Sequence, residues 1–200
     1  MRPASARIAE ALASGGIGVC DDFVSSDDVR ALRTRAVAAH DAGALRAAAV
    51  GSSRAVDGAV RGDRTMWLDL STAAPAEVAY LAAMEDLRLA VNETLQLGAF
   101  DLEAHYAVYA PGAAYARHID QPRGSGARVV STVLYLNDGW TPDDGGALRI
   151  YLDSCKTRDV PPRAGVLVAF LSERFEHEVL PATRQRWSIT AWLRRRAAAL

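Results

Sequence analysis

The chain has 200 residues, half of them hydrophobic, with a formal net charge of -1 and a pI near 6.4. That length suits one domain with a sizeable core and is short for two. The near-neutral balance argues against a nucleic-acid surface as the main function, and no stretch approaches the roughly 18 uninterrupted apolar residues of a membrane span.

The N-terminal stretch to Gly16 is Ala-rich but interrupted by Arg2, Arg7 and Glu10, which suits a short amphipathic helix rather than a secretory signal. Helix formers run from Ala4 to Ala13, Gly15-Gly16 stop them, and Ile17 to Phe23 alternates like a short strand. Ser25-Ser26-Asp27-Asp28 is an N-cap with acidic residues in the first turn. It predicts a helix from about Asp27 to Ala48 with Val29, Leu32, Ala36 and Ala39 on one face and His40 as an ordinary helical residue. Val50 to Gly62 is rich in Gly, Ser and Arg and reads as a mobile loop, equally suited to a substrate clamp or a plain connector. A turn and strand follow over Val60 to Leu70. Ser71-Thr72 can cap a second long helix from Pro75 to about Leu97, striped by Val78, Leu81, Met84, Leu87 and Val91.

From Asp101 the pattern changes to short strand-like runs between Gly, Pro, Asn and Asp turns: Leu102 to Ala110, Val129 to Leu136, Ala147 to Leu152, Gly165 to Phe170 and Arg186 to Leu193. Helices followed by strands predict an α+β domain, with helical support over about residues 1–97 buttressing a jelly roll, or double-stranded β-helix, over about 101–194. Cys20 and Cys155 sit in unrelated contexts with no Cys-x-x-Cys spacing, and are expected as buried free thiols in a reducing cytoplasm.

The chemistry-bearing residues lie in the strand-rich half. Side chains two apart on an extended backbone leave the same face, so His118 and Asp120 can converge on one point. With His177 they make the two-imidazole, one-carboxylate set that holds non-haem Fe(II) and leaves coordination positions open. In Arg186 to Leu193, Arg186, Ser188, Thr190 and Trp192 share one face and Trp187, Ile189, Ala191 and Leu193 the other. The apolar face should pack on the helices, leaving Arg186 among hydroxyls, suited to a ligand carboxylate. Parity also groups Tyr135 with Val133 and Ser131, and Tyr109 with Ala107 and His105. His105 is expected to be structural, Glu176 and Glu178 to point away from His177, and Gly145-Gly146 to be a turn without a functional part.

In order and spacing, the chain from Arg61 onward resembles the Fe(II)- and 2-oxoglutarate-dependent oxygenase superfamily. It is most similar to prolyl hydroxylases of the hypoxia-inducible-factor type and their bacterial relatives. The matching segments are Arg61 to Trp67, Tyr109 to Asp120, Ser131 to Asn137, Gly145 to Ile150, and His177 through Trp192. The resemblance implies Fe(II) on His118, Asp120 and His177, and 2-oxoglutarate on Arg186 with Tyr135, Thr190 and Tyr109. It implies substrate near Arg128, Trp192, Tyr115, Arg61 and Asp63, with the Val50 to Trp67 segment folding over a peptide. O2 is the oxidant and ascorbate an optional reductant; the partner is a protein or peptide, not nucleic acid or membrane, and the enzyme a cytoplasmic monomer or weak oligomer. Two alternatives stay open: the same chemistry on a free amino acid or other small molecule, and a non-catalytic 2-oxoglutarate- or iron-binding jelly roll. After Asp120 the chain reads Gln-Pro-Arg-Gly-Ser-Gly-Ala-Arg, with one residue inserted before Arg128, which leaves the substrate open.

Overall fold

Helix-stopping chemistry shapes the first half of the chain. The computed structural model describes residues 2–48, 57, 60–121 and 127–196. Helix α1 (Pro3–Gly15) opens on a proline, whose missing N–H is no loss in the first turn, and closes where Gly16 takes a φ of 79° and returns its N–H to Leu12. Strand β1 (Ile17–Cys20) is shorter than the expected run to Phe23, because Phe23 and Val24 turn into the core. Helix α2 (Ser26–Asp41) is capped by Ser25, whose hydroxyl accepts the Asp28 N–H at 3.1 Å, and buries Val29, Leu32, Ala36 and Ala39 as expected. It ends at Asp41 rather than Ala48: Gly43 adopts a φ of 68°, Leu45 is buried, and β2 (Arg46–Ala47) pairs with β3 (Asp63–Trp67). The loop expected between Val50 and Gly62 lies largely outside the described residues.

Helix α3 (Pro75–Leu95) is not capped by Ser71 or Thr72, both of which turn back to Asp69. Glu77 instead accepts the N–H of Ala74 at 2.6 Å. Its buried stripe is Tyr80, Ala83, Met84, Leu87, Ala90 and Val91, whereas Val78 is 47% exposed. Met84, Leu87 and Val91 of the expected stripe are thus buried and Leu81 packs partly on the core, while Val78 lies off the face toward α1, α2 and the sheet. Among the described residues, no helix is long and apolar enough to cross a membrane.

The remaining strands are β4 (Ala99–Tyr109), β5 (Tyr115–His118), β6 (Arg128–Tyr135), β7 (Leu148–Tyr151), β8 (Thr157–Val160), β9 (Leu167–Leu171), β10 (His177–Val179) and β11 (Arg186–Arg195). Among the described residues they form two antiparallel sheets. The major one runs β1-β9-β6-β11-β4-β3-β2 and the minor one β5-β10-β7-β8. Sequence periodicity finds β4, β6, β7, β9 and β11 and misses β5, β8 and β10, whose three or four residues offer few alternations; β7 is as short but follows a glycine turn signal.

Two apolar layers hold the sheets. Trp187, Ile189, Ala191 and Leu193 pack with all three helices behind the major sheet. Ala107, Tyr109, Val133 and Tyr135 on its front meet Leu148, Ile150, Val160 and Val179 of the minor sheet. The architecture is the expected α+β jelly roll buttressed by N-terminal helices. His40 packs edge-on against Trp187 at 5.4 Å, an ordinary helical role. Both cysteines are free, but Cys155 is exposed rather than buried, because it sits in the turn after β7. Cys20 is partly buried, and burial pushes its thiol up to about 11.

Candidate active site

Register brings the three metal-type residues together. His177 on β10 pairs directly with His118 on β5, and Asp120 follows β5 by two residues. One ligand atom from each of His118, Asp120 and His177 falls within 4.8 Å of the others. His118 Nε2 lies 3.6 Å from Asp120 Oδ1, and His177 Nε2 3.7 Å from Oδ2. Each imidazole turns Nδ1 to a backbone carbonyl, Ala116 at 2.8 Å and Phe175 at 3.2 Å. With the proton on Nδ1, both Nε2 lone pairs face Asp120. Burial opposes ionisation of Asp120, yet the imidazoles of His118 and His177, when they carry a proton on Nε2, and the Ser131 hydroxyl hold its carboxyl well below the usual range. Burial also lowers His177. An ionised carboxylate beside a neutral imidazole is the state that binds a divalent cation.

Arg186 opens the central strand of the major sheet on the same cavity. Its side chain is buried, its Nε donates to the Gly146 carbonyl at 2.8 Å, and its Nη2 has no hydrogen-bond partner. Tyr109 and Tyr135 flank the guanidinium at 5.3 and 5.1 Å. The hydroxyls of Tyr135 and Ser188 are likewise buried and unpartnered. Burial pushes Tyr135 up to about 12, against the pull of Arg186, so it remains a donor at neutral pH. Thr190 lines the cavity one residue pair further along β11.

Paired charges and stacked rings form the rim. Arg61 binds Asp63 through two contacts, at 2.7 and 3.1 Å, and lies over the ring of Tyr115, which stacks on His118 at 3.7 Å. Arg128 donates to Glu103 at 2.8 Å and covers Trp192 at 3.6 Å. Trp192 also meets His105, itself packed against Trp67. Glu176 pairs with Arg117 and Glu178 with Tyr151, both away from His177 as expected.

The comparisons with known proteins agree with this geometry. Residues 104–194 match the model of the 2OG-Fe(II) oxygenase superfamily. A Pseudomonas putida prolyl-4-hydroxylase structure is 45% identical, with a TM-score of 0.90 over 96% of this chain and 100% of that one. The chain belongs to the 2OG-Fe(II) oxygenase superfamily. A Trichoplax adhaerens prolyl hydroxylase, in complex with a hypoxia-inducible-factor peptide fragment, is 26% identical with a TM-score of 0.86, covering 94% of this chain and 87% of that one. Human Egl nine homolog 1 is 32% identical over 187 residues, 88% of this chain but 43% of that protein, so the chain spans less than half of this relative's length.

Oxygenases of this superfamily use Fe(II), 2-oxoglutarate and O2, and the residues fit them. Two imidazole nitrogens and a carboxylate converge as iron ligands, and the unpartnered Arg186 Nη2, Tyr135 hydroxyl and Ser188 hydroxyl fit the far carboxylate of the 2-oxo acid. His118, Asp120, His177, Arg186, Thr190, Tyr109, Tyr115, Trp192, Arg128, Arg61 and Asp63 line this one cavity; Tyr135 does not line it and lies 5.1 Å from the Arg186 guanidinium. Ser188 is one of the hydroxyl neighbours expected around Arg186. Two features escape the sequence reading. Ser131 is an ordinary-looking strand serine, although its parity with Tyr135 is visible. Gly146, expected to be a turn without function, is the second. It holds a φ of 69°, its carbonyl anchors Arg186, and an added Cβ would lie 2.9 Å from Ala182, 3.1 Å from Trp140 and 3.3 Å from the Arg186 side chain.

Gly146→Ala is expected to push Arg186 from its place and raise the 2-oxoglutarate KM by about tenfold or more, since a displaced buried charge pair costs about 2 kcal/mol or more; titrating the cosubstrate checks this. His105 supplies a pH test. Burial lowers it to about 4, so between the unfolded value near 6.5 and that folded value the unfolded chain binds the extra proton. Stability should be full above pH 6.5 and fall by up to about 3 kcal/mol as pH drops to about 4. Denaturant midpoints of His105→Gln should lose this slope.

Proposed function

We propose that the chain is an Fe(II)- and 2-oxoglutarate-dependent dioxygenase that hydroxylates a prolyl residue of a protein or peptide, releasing succinate and CO2. The observation that carries the oxygenase reading is the shared cavity: a His-Asp-His cluster beside a buried arginine that has no anion of its own. The prolyl reading rests on the likeness to the Pseudomonas putida prolyl-4-hydroxylase, which the chain covers from end to end. The proposal takes the described elements as one domain acting in the cytoplasm.

In this reading His118, Asp120 and His177 hold the iron by Nε2, one carboxylate oxygen and Nε2. When bound, the iron supplies the redox chemistry by which O2 splits 2-oxoglutarate and oxidises a C–H bond. Arg186 and Tyr135 clamp the distal carboxylate by charge-assisted hydrogen bonds, with Ser188 and Thr190 beside them. Tyr109 closes the wall over the 2-oxo acid. Burial among Val133, Leu148, Phe170 and Val179 keeps water from the reacting atoms. Arg61, Asp63, Tyr115, Arg128 and Trp192 set the mouth at which the peptide arrives, so orientation of the target C–H falls to the rim.

Anaerobic loading with Fe(II), 2-oxoglutarate and host lysate, followed by aeration and mass spectrometry, should show proline-containing peptides gaining one oxygen atom. A gain confined to small metabolites would replace the peptide reading with the small-molecule one. Arg186→Ala should raise the 2-oxoglutarate KM by roughly 30-fold or more, the loss of a buried charge contact, and Asp120→Ala should abolish succinate formation. Unchanged succinate production by Asp120→Ala would overturn the ligand assignment.

A further inference from the structure

The two oxygens of Asp120 are treated differently by their surroundings. Oδ2 accepts the Ser131 hydroxyl at 2.6 Å and the indole N–H of Trp192 at 2.8 Å. Each oxygen also faces an imidazole nitrogen beyond hydrogen-bond reach, Oδ1 His118 Nε2 at 3.6 Å and Oδ2 His177 Nε2 at 3.7 Å, so the two donors on Oδ2 are what distinguish them. The register makes this no accident of rotamers: Ser131 on β6 and Trp192 on β11 are direct partners, so their side chains stand side by side on the cavity face. Trp192 is also packed by Arg128 and by His105.

Ser131 is itself held. Its Oγ lies 2.9 Å from the hydroxyl of Ser172, and both serines are fully buried. A carboxylate only accepts and each hydroxyl has one proton, so the order is forced: Ser172 donates to Ser131, and Ser131 donates to Asp120. Each link polarises the next, and the last is a short bond to a charged acceptor.

We infer that Ser131, backed by Ser172, is a positioning residue that restricts Asp120 to metal ligation through Oδ1 alone, keeping a coordination position free for O2. The inference rests on the iron-site reading above. Turning the carboxylate to offer both oxygens would break both bonds to Oδ2 and leave two buried donors, the Ser131 hydroxyl and the Trp192 N–H, without an acceptor. A second carboxylate oxygen on the metal would take one of the positions that the two-imidazole, one-carboxylate set leaves open. The serine pair therefore acts on coordination number without touching metal or substrate.

The test uses the purified metal-free chain and variants Ser131→Ala, Ser131→Thr, Ser172→Ala and His118→Ala. Mn(II) binding is followed by the electron paramagnetic resonance of the free ion, and coordination by the visible bands of the Co(II) form. Ser131→Ala should bind Mn(II) about tenfold or more weakly, the usual scale for losing a partner of a metal ligand, with altered Co(II) bands. Ser131→Thr, which keeps the hydroxyl, should restore both. Ser131→Ala with wild-type Mn(II) affinity and wild-type Co(II) bands overturns the inference. His118→Ala that binds Mn(II) as tightly as the wild type overturns the metal-site reading instead. Should Ser131→Ala fail to fold by circular dichroism, Ser172→Ala decides: weaker Mn(II) binding with shifted Co(II) bands supports the inference, and wild-type behaviour overturns it.

Discussion

A buried guanidinium with no anion beside it is the constraint on which the rest of this structure turns. Arg186 is 1% exposed, no carboxylate of the described residues pairs with it, and it cannot shed its proton. An isolated charge in such a place opposes folding strongly unless it finds partners. The fold offers partial ones: a carbonyl on Nε and two phenol rings flanking the guanidinium. What these leave open is Nη2, and the hydroxyls of Tyr135 and Ser188 are open with it. A dicarboxylate would satisfy the set at its far end while its near end reached toward His118, Asp120 and His177. Binding and stability are thus coupled, and the loaded chain should be the more stable one.

Such a charge is tolerable only if its strand cannot slip. A shift of one residue would turn Trp187, Ile189, Ala191 and Leu193 into the cavity and Arg186, Ser188, Thr190 and Trp192 against the helices. Apolar packing forbids that, and Asn137 adds a local lock. Its side chain accepts the N–H of Trp187 at 2.7 Å and donates to the carbonyl of Trp187 at 2.9 Å, beside Arg186 itself. β11 lies between β4 and β6, so it is held from both edges over most of its length. His118, His177 and Arg186 are placed by backbone pairing, while Asp120, two residues beyond β5, is held by its side-chain bonds to Ser131 and Trp192.

This explains what could be read from the sequence. Arg186 and its hydroxyl neighbours were legible because strand parity needs only a list of alternate residues. The triad was legible as types and spacing, and its likeness to a family supplied the roles. The face of α3 was legible apart from its edge: Val78 is as apolar as Met84 and Leu87, and only the packing of α1 and α2 leaves it outside. The end of α2 was missed for a related reason: an Ala-rich run favours helix, and tertiary pairing of β2 with β3 overrides it. Gly146 was misread because a glycine pair predicts a turn, whereas its carbonyl's work for Arg186 depends on a contact forty residues away. Ser131 looked like any strand serine until Asp120 arrived beside it in space.

Interior and rim divide the electrostatic work differently. Inside, each polar group has either a fixed partner, as with Nδ1 of both imidazoles and Oδ2 of Asp120, or an open valence that a ligand must fill, as with Arg186. At the mouth, the charges are paired with one another, Arg61 with Asp63 and Arg128 with Glu103, and Arg128 also covers the indole that holds Asp120. Arg128–Glu103 is the more exposed pair and can be exchanged for a partner on an incoming chain at modest cost, whereas Arg61–Asp63, with its carboxylate buried, is held firmly. Arg128 therefore stacks on the ring that holds Asp120. On the proposed reading of the site, changes at the rim that suit a different substrate would reach the metal carboxylate through Trp192, and this would limit how freely the mouth can vary while the interior stays the same.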